Sequence, residues 1–281
     1  MSYIVRFQAI RPDKYALTYP AMTVKIYSIA INDMATTPLF SIVTITYNAA
    51  RELPSTMESV RSQTFTNFEH LIIDGASKDD TLEVARKLGT DKLRIVSEPD
   101  KGLYDAMNKG LKRATGKYVV FLNAGDAFHS PEVLEKYARA AEKDADIIYA
   151  DTVIVDDSRN VIGPRHLSAP AQLTRESFSR GMLVCHQAFM VKKSLAPFYD
   201  LSYRFSADYD WTVKCISATK PSKCVNLDMI AIDYLADGTT DKNKWKSLKE
   251  RFRIMCGHYG VVKTVFNHAM FVARAARRKL S

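Results

Sequence analysis

The turn Asn123-Ala124-Gly125-Asp126 ends an apolar run, Tyr118-Val119-Val120-Phe121-Leu122, with a single carboxylate. A run of this kind reads as a buried strand of a parallel sheet, and ligands of open α/β sheets collect beyond the carboxyl ends of such strands. Asp126 therefore stands where a bound metal or phosphate is expected. A helix cap is the plainer role, because Ser130-Pro131-Glu132 opens a helix just downstream. Three more strand ends bring polar residues to the same rim: Thr46-Tyr47-Asn48, Asp74-Gly75-Ala76-Ser77 and Glu98-Pro99-Asp100-Lys101-Gly102. Four polar strand ends on one edge point to a site more than to four separate caps. The rim carries carboxylates, a tyrosine, small residues and one lysine. Carboxylates repel a bare phosphate but suit a diphosphate whose charge is bridged by a divalent metal, and a sugar activated on a nucleoside diphosphate fits that description.

The elements that must position this rim alternate. Strands are expected at 41–46, 70–74, 93–97 and 118–122, with helices at about 52–63, 80–88 and 103–114 between them, the first showing Leu53, Met57 and Val60 on one face. Alternation of this kind implies right-handed crossovers and a parallel sheet covered by helices on both faces. A helix over 131–142, a strand at 147–151, a hairpin turn through Asp156-Asp157-Ser158-Arg159-Asn160 and a helix opening near 205–211 complete the expected body. The apolar stretch 181–191 carries Cys185-His186-Gln187.

Composition narrows the classes. With 281 residues and 47% hydrophobic content, the chain can bury one large core. No stretch approaches the roughly 20 apolar residues of a membrane span, and Arg6, Arg11, Asp13, Lys14 and Lys25 interrupt any signal-peptide pattern, so a cytoplasmic site is expected. The four cysteines lack metal-ligand spacing and read as free thiols. Residues 241–281 hold eleven Lys or Arg against two acids, which accounts for the whole net charge of +9 and leaves a neutral body. A neutral body with a cationic tail argues against nucleic-acid binding and for a local anionic partner. Neither a P-loop, nor a Gly-x-Gly-x-x-Gly turn, nor a Gly-x-Ser-x-Gly elbow is present at the strand ends.

From Phe40 to about Asp237 the chain resembles the family 2 glycosyltransferases. The resemblance rests on four ordered motifs: Thr46-Tyr47-Asn48, the run from Ile73-Asp74-Gly75-Ala76-Ser77 to Thr81, the run from Glu98 through Lys101-Gly102 to Gly110, and Leu122-Asn123-Ala124-Gly125-Asp126. It implies an α/β fold of the GT-A type, with a mostly parallel central sheet flanked by helices, and a Mg²⁺- or Mn²⁺-dependent metal motif. The variant resembles the branch found in bacterial surface-polysaccharide clusters. Carried over by position, Thr46, Tyr47 and Asn48 border the nucleotide base, Asp74 helps to hold base or ribose, and Lys101-Gly102 approaches the donor. Asn108 is expected to tie its helix to a neighbouring loop. Asn123 contacts ribose or donor sugar, and Asp126 matches the last metal carboxylate. The family often has Asp-Asp where this chain has Asp74-Gly75, and Asp where it has Gly125 or Asn123, so diphosphate oxygens and water must complete the metal shell. The resemblance places the general base of an inverting transfer at Asp208 in Ser206-Ala207-Asp208-Tyr209-Asp210-Trp211, with Asp210 as its competitor. His186 either lines the acceptor side or is structural.

The reading divides the chain into an extension of unassigned role (1–38), a catalytic domain (39–240) and a basic amphipathic tail (241–281). Trp245, Leu248 and Phe252 among lysines and arginines, then Val262, Phe266 and Met270 at four-residue spacing, suit an anionic inner-leaflet surface, with packing on the body as the other role. The expected activity is transfer of a hexose or N-acetylhexosamine from a nucleotide-sugar donor to a lipid-linked or oligosaccharide acceptor by an enzyme peripheral to the inner membrane face. A sugar-phosphate nucleotidyltransferase is disfavoured by Thr46-Tyr47-Asn48 where a glycine-rich activation loop belongs. A degenerate transferase serving as a scaffold draws on Gly75, Gly125 and Ala207.

Overall fold

A computed structural model describes residues 37–236 and 244–280 of the chain. The expectation for segment 1–38 falls outside the described residues apart from its last two positions. Pro38–Ser281 forms one compact unit, and it contains the elements discussed below.

The first half follows the alternation read from the sequence. Strands β1 (Phe40–Thr46), β2 (Phe68–Asp74), β3 (Leu93–Ser97) and β4 (Tyr118–Phe121) are separated by α1 (Leu53–Arg61), α2 (Thr81–Leu88) and α3 (Leu103–Arg113). The strands pair in parallel in the order β3-β2-β1-β4. Every residue of β1 and β2 is buried, as expected of strands with helices over both faces. Phe40 and Ile42 join a core with Val60, Tyr118 and Tyr137. Val43 and Ile45 point the other way, into a core with Met107, Phe121, Phe189 and Trp211. Gly110 sets the seat of α3 on β1, since a Cβ there would lie 2.4 Å from Val43 Cγ1.

The second half contains β5 (Ala127–Phe128), α4 (Val133–Glu142), β6 (Ile147–Val155), β7 (Val161–Pro164), β8 (Phe189–Lys192), α5 (Ala207–Ser217), β9 (Cys224–Leu235), α6 (Lys244–Tyr259) and α7 (Val261–Leu280). Among the described residues one nine-stranded sheet runs β3-β2-β1-β4-β8-β6-β9-β5, with β7 on β6. Six strands, β1 among them, run one way and β5, β7 and β8 the other, so the sheet is mostly parallel. The short antiparallel β8 between β4 and β6 was not legible as a strand, because its four residues follow two helical turns instead of a helix crossover. The Asp156–Asn160 excursion is the expected hairpin turn, closed by Asp156 N–H to Asn160 O at 3.0 Å. Among the described residues no helix is long and apolar enough to cross a membrane.

Candidate active site

Parallel register brings Thr46, Asp74 and Ser97 level at the carboxyl ends of β1, β2 and β3. Asp74 is fully buried and accepts from Thr46 Oγ1 at 3.0 Å, Ser97 Oγ at 2.7 Å, Ser77 N at 2.9 Å and the Ser77 hydroxyl. Burial opposes its ionisation, but these donors, Ser77 and Ser97 foremost, outweigh burial and hold the carboxyl below the ordinary range. Asp74 thus braces three strand ends through its bonds to Thr46, Ser77 and Ser97. Thr46 is buried in the same brace. Asn48, at φ +48°, joins the β1 and β2 loops: its N–H donates to Ser77 Oγ at 2.8 Å and its Oδ1 accepts from Lys78 N at 2.9 Å.

What the rim presents outward is Tyr47, 65% exposed. Beside it, a Cβ on Gly75 would lie 2.5 Å from Asp100 Oδ2 and 3.3 Å from Tyr47 Cδ2. A carboxylate from the β3–α3 loop therefore stands against the position where an Asp-Asp pair would carry its second acid. Gly102, at φ +118°, starts α3 and donates its N–H to Asp100 Oδ1 at 2.8 Å, while the exposed Lys101 donates its backbone N–H to Asp105. Asn108 links α3 to the backbone of Tyr199 through both amide atoms, as expected of a tie between helix and loop.

Asp126 lies beneath the rim, 4% exposed. Its Oδ2 accepts from Gln187 Nε2 at 2.7 Å and its Oδ1 from Leu235 N at 3.1 Å. Burial dominates here and pushes its carboxyl up to about 6, against lowering by Gln187, Leu235, His186 and Arg159. Among the described residues no group of three or more His, Cys, Asp or Glu could hold a metal. The turn still offers hard oxygens. Each Asp126 oxygen keeps a further lone pair, and Asn123 Oδ1 is buried with no hydrogen-bond partner. A cation would relieve both the desolvated carboxylate and the orphaned amide oxygen, so these residues fit a divalent ion that brings most of its own ligands with it.

Asn123 also leads to the second carboxylate. Its Nδ2 donates to His186 Nε2 at 3.2 Å, which leaves the imidazole proton on Nδ1, 3.6 Å from Asp208 Oδ2. Asp208 Oδ1 accepts from the Tyr104 hydroxyl at 3.1 Å. Burial works against ionisation of Asp208, yet the neighbouring His186, with Arg251, prevails and holds its carboxyl below the ordinary range. The Tyr104 phenol is pushed well up by burial and by the Asp208 charge, so it remains a donor. Beneath this group Tyr104 stacks on Tyr199 at 5.5 Å and Tyr199 on Trp211 at 5.0 Å. The result is an anionic carboxylate on a rigid aromatic floor with 22% of its side chain exposed. Such a group can take a proton.

Asp210 lies elsewhere. Two residues along α5 it turns to α6, pairing with His258 Nε2 there and with Lys214 Nζ of its own helix at 2.7 Å each, and it shares no described partner with Asp208. A cavity of about 730 Å³ lined by Thr174, Lys214, Ile216 and His258 lies on that side and includes no rim residue. Asp210 balances the cations there, so the rim is the better candidate for chemistry. The sequence did not point to Tyr104, Gln187 or Arg159. The first two stand inside recognised stretches, but only tertiary contact gives them a role. Arg159 sits at φ +69° in the β6–β7 turn with a buried, unpartnered Nη1, and its charge reaches Asp126.

Residues 41–197 match the model of Glycosyl transferase family 2. A PGL/p-HBAD biosynthesis glycosyltransferase of Mycobacterium bovis is 34% identical over 190 residues, covering 64% of this chain and 70% of that protein. WfgD of Escherichia coli, a UDP-Glc:alpha-D-GlcNAc-diphosphoundecaprenol beta-1,3-glucosyltransferase, is 22% identical over 219 residues, 77% and 85% of the two chains. The structure of mannosyltransferase PcManGT from Pyrobaculum calidifontis, solved with GDP-Man and Mn²⁺, shares the fold at a TM-score of 0.57 and 14% identity, covering 92% and 88%.

Proposed function

Because the chain belongs to glycosyl transferase family 2, we propose that it is an inverting glycosyltransferase. It moves a hexose or N-acetylhexosamine from a nucleoside-diphosphate donor to a hydroxyl of a lipid-linked or glycan acceptor in cell-surface glycan synthesis. The observation that carries this reading is the carboxylate of Asp208, set between Tyr104 and His186 and joined through Asn123 to the Asp126 turn. Asp208 takes the acceptor hydroxyl proton as that oxygen bonds to the anomeric carbon. The bond from that carbon to the diphosphate oxygen breaks, and its electron pair leaves with the diphosphate. A single displacement inverts the anomeric centre.

Tyr47 offers the base an exposed ring, with Asp100 beside it. Lys101 and Arg159 supply cations near the donor phosphates, and Arg159 brings an unused N–H. Mg²⁺ or Mn²⁺, held by Asp126 and Asn123 together with the diphosphate, would neutralise charge on the leaving group. A lipid-linked acceptor is favoured by the similarity to WfgD, a glucosyltransferase whose acceptor is a diphosphoundecaprenol-linked sugar.

A peripheral place at an anionic inner leaflet is supported by α7. Its outward stripe Val262, Val265, Phe266 and Met270 is apolar, with Val262 87% exposed, whereas Thr264 is buried and Asn267 donates to Ser179 O on the body side. The helix thus turns its apolar face out.

The experiment is a thermal-shift panel of UDP, GDP, dTDP and CDP, with and without Mn²⁺, on the chain and on Asp126→Ala. A metal-dependent shift with one nucleotide that vanishes in the variant supports the reading. Binding without turnover of any nucleotide sugar supports the scaffold alternative instead.

A further inference from the structure

We propose that α6 is part of the catalytic apparatus, with Glu250 as a positioning residue that sets the start of α5 and thereby the carboxylate of Asp208. The inference rests on the reading of Asp208 as general base. The family match ends at residue 197, so neither α5 nor the helix that holds it lies within the matched segment.

The N-cap of α5, Ser206, makes no side-chain capping bond, and the approach to the helix carries three successive backbone N–H groups needing acceptors. All three reach one carboxylate. Glu250 Oε1 accepts from Arg204 N at 2.9 Å, and Oε2 accepts from Phe205 N at 2.7 Å and Ser206 N at 3.1 Å. A negative charge there also opposes the positive end of the helix dipole. The Ser206 hydroxyl meets Ser247 O at 3.2 Å and Ser247 Oγ at 3.0 Å. Farther along, Arg251 lies 5.6 Å from the Tyr209 ring and His258 bonds Asp210. Residues 247, 250, 251, 254 and 258 thus present one helical face to α5, sealed by the buried Ile254 and Met255.

The grip brackets Asp208 on both sides. Downstream, α5 has anchors independent of α6: Tyr209 donates to Phe178 O at 2.6 Å and Trp211 Nε1 to Pro197 O at 2.7 Å. Just upstream of Asp208, at residues 204–206, the described hydrogen bonds to other elements are those of Glu250 and Ser247. Loss of the Glu250 carboxylate therefore frees the first turn while the rest of the helix stays seated, and Asp208 drifts from Tyr104 and His186. An amide cannot replace it. Gln presents one oxygen and one NH₂, so at least one of the three N–H groups meets a donor.

The test uses the full chain with Glu250→Gln, Glu250→Ala and Glu250→Asp. Hydrolysis of UDP-glucose, UDP-N-acetylglucosamine and GDP-mannose is followed together with hydrogen exchange of the amides at 204–208. Gln and Ala should lower kcat at least tenfold with donor KM changed less than twofold, while those amides lose protection and the β1–β4 amides keep theirs. Asp should recover part of both. Unchanged exchange at 204–208 overturns the clamp whether or not the chain turns over. Faster exchange with intact kcat overturns the positioning role, as do kcat and KM failing together. A wild-type chain that hydrolyses none of the three sinks the transferase reading instead, and the exchange arm still decides the clamp.

Discussion

The carboxylate of Asp208 is shared between two side chains distant in sequence: Oδ1 takes the Tyr104 hydroxyl at 3.1 Å, and Oδ2 faces His186 Nδ1 at 3.6 Å. His186 is the stronger influence on its ionisation. Since the folded pKa of Asp208 is depressed, the ionised base and its contribution to stability persist above the ordinary carboxylate range and are lost as pH falls through the folded value. His186→Ala should move the acid limb of the rate profile to higher pH. A limb that stays put would show that the imidazole does not tune this carboxylate.

Asp126 behaves in the opposite sense. Its pKa is raised to about 6, so the stability linked to its protonated form is present at low pH and lost as pH rises through that value. The melting temperature of Asp126→Asn should therefore gain on that of the wild type as pH rises from 5 to 8. Metal-supported nucleotide binding to the wild type should weaken about tenfold per unit below pH 6, because the proton competes with the cation. Isothermal titration at three pH values checks the second point.

Gly75 invites a restoration that should fail. An Asp there would set its Cβ 2.5 Å from Asp100 Oδ2 and bring two carboxylates together beside Tyr47. Gly75→Asp should weaken nucleotide binding about tenfold or more, whereas Asp100→Asn in the same background should recover part of it. Tighter binding by the single variant would show that Asp100 does not stand in for the missing acid.

The outward stripe of α7 can be altered without touching the core. Val262→Glu with Phe266→Glu should cut sedimentation with vesicles of phosphatidylglycerol and phosphatidylethanolamine at least fivefold and leave the melting temperature within about 1 °C, since both residues are exposed. Vesicle binding equal to wild type would remove the membrane from the account. Loss of a dimer instead would assign the stripe to a second copy.

The sequence carried the first four strands, their helices and the polar rim, because parallel strands buried on both faces leave unbroken apolar runs that end in turn residues. It could not distinguish inward from outward groups on that rim. Asp74 and Tyr47 belong to neighbouring motifs, yet one is the centre of a buried brace and the other faces solvent. That outcome depends on cross-strand register, which no local pattern encodes. The choice between Asp208 and Asp210 was likewise open, since it turns on α6, whose residues follow α5 at a distance of more than 25 positions. The tail showed its charge and apolar spacing, but α6 spends Ser247, Glu250 and His258 on α5, whereas α7 leaves its apolar stripe outside.

The central claim is that Asp208 removes the acceptor proton. Nucleotide-sugar turnover by Asp208→Asn, measured beside nucleoside-diphosphate affinity on the same preparation, tests it most directly. The account predicts a loss of about 10²–10⁴ in kcat, the range of a general base, with affinity unchanged within about twofold. Turnover within tenfold of wild type, at unaltered affinity, would contradict it.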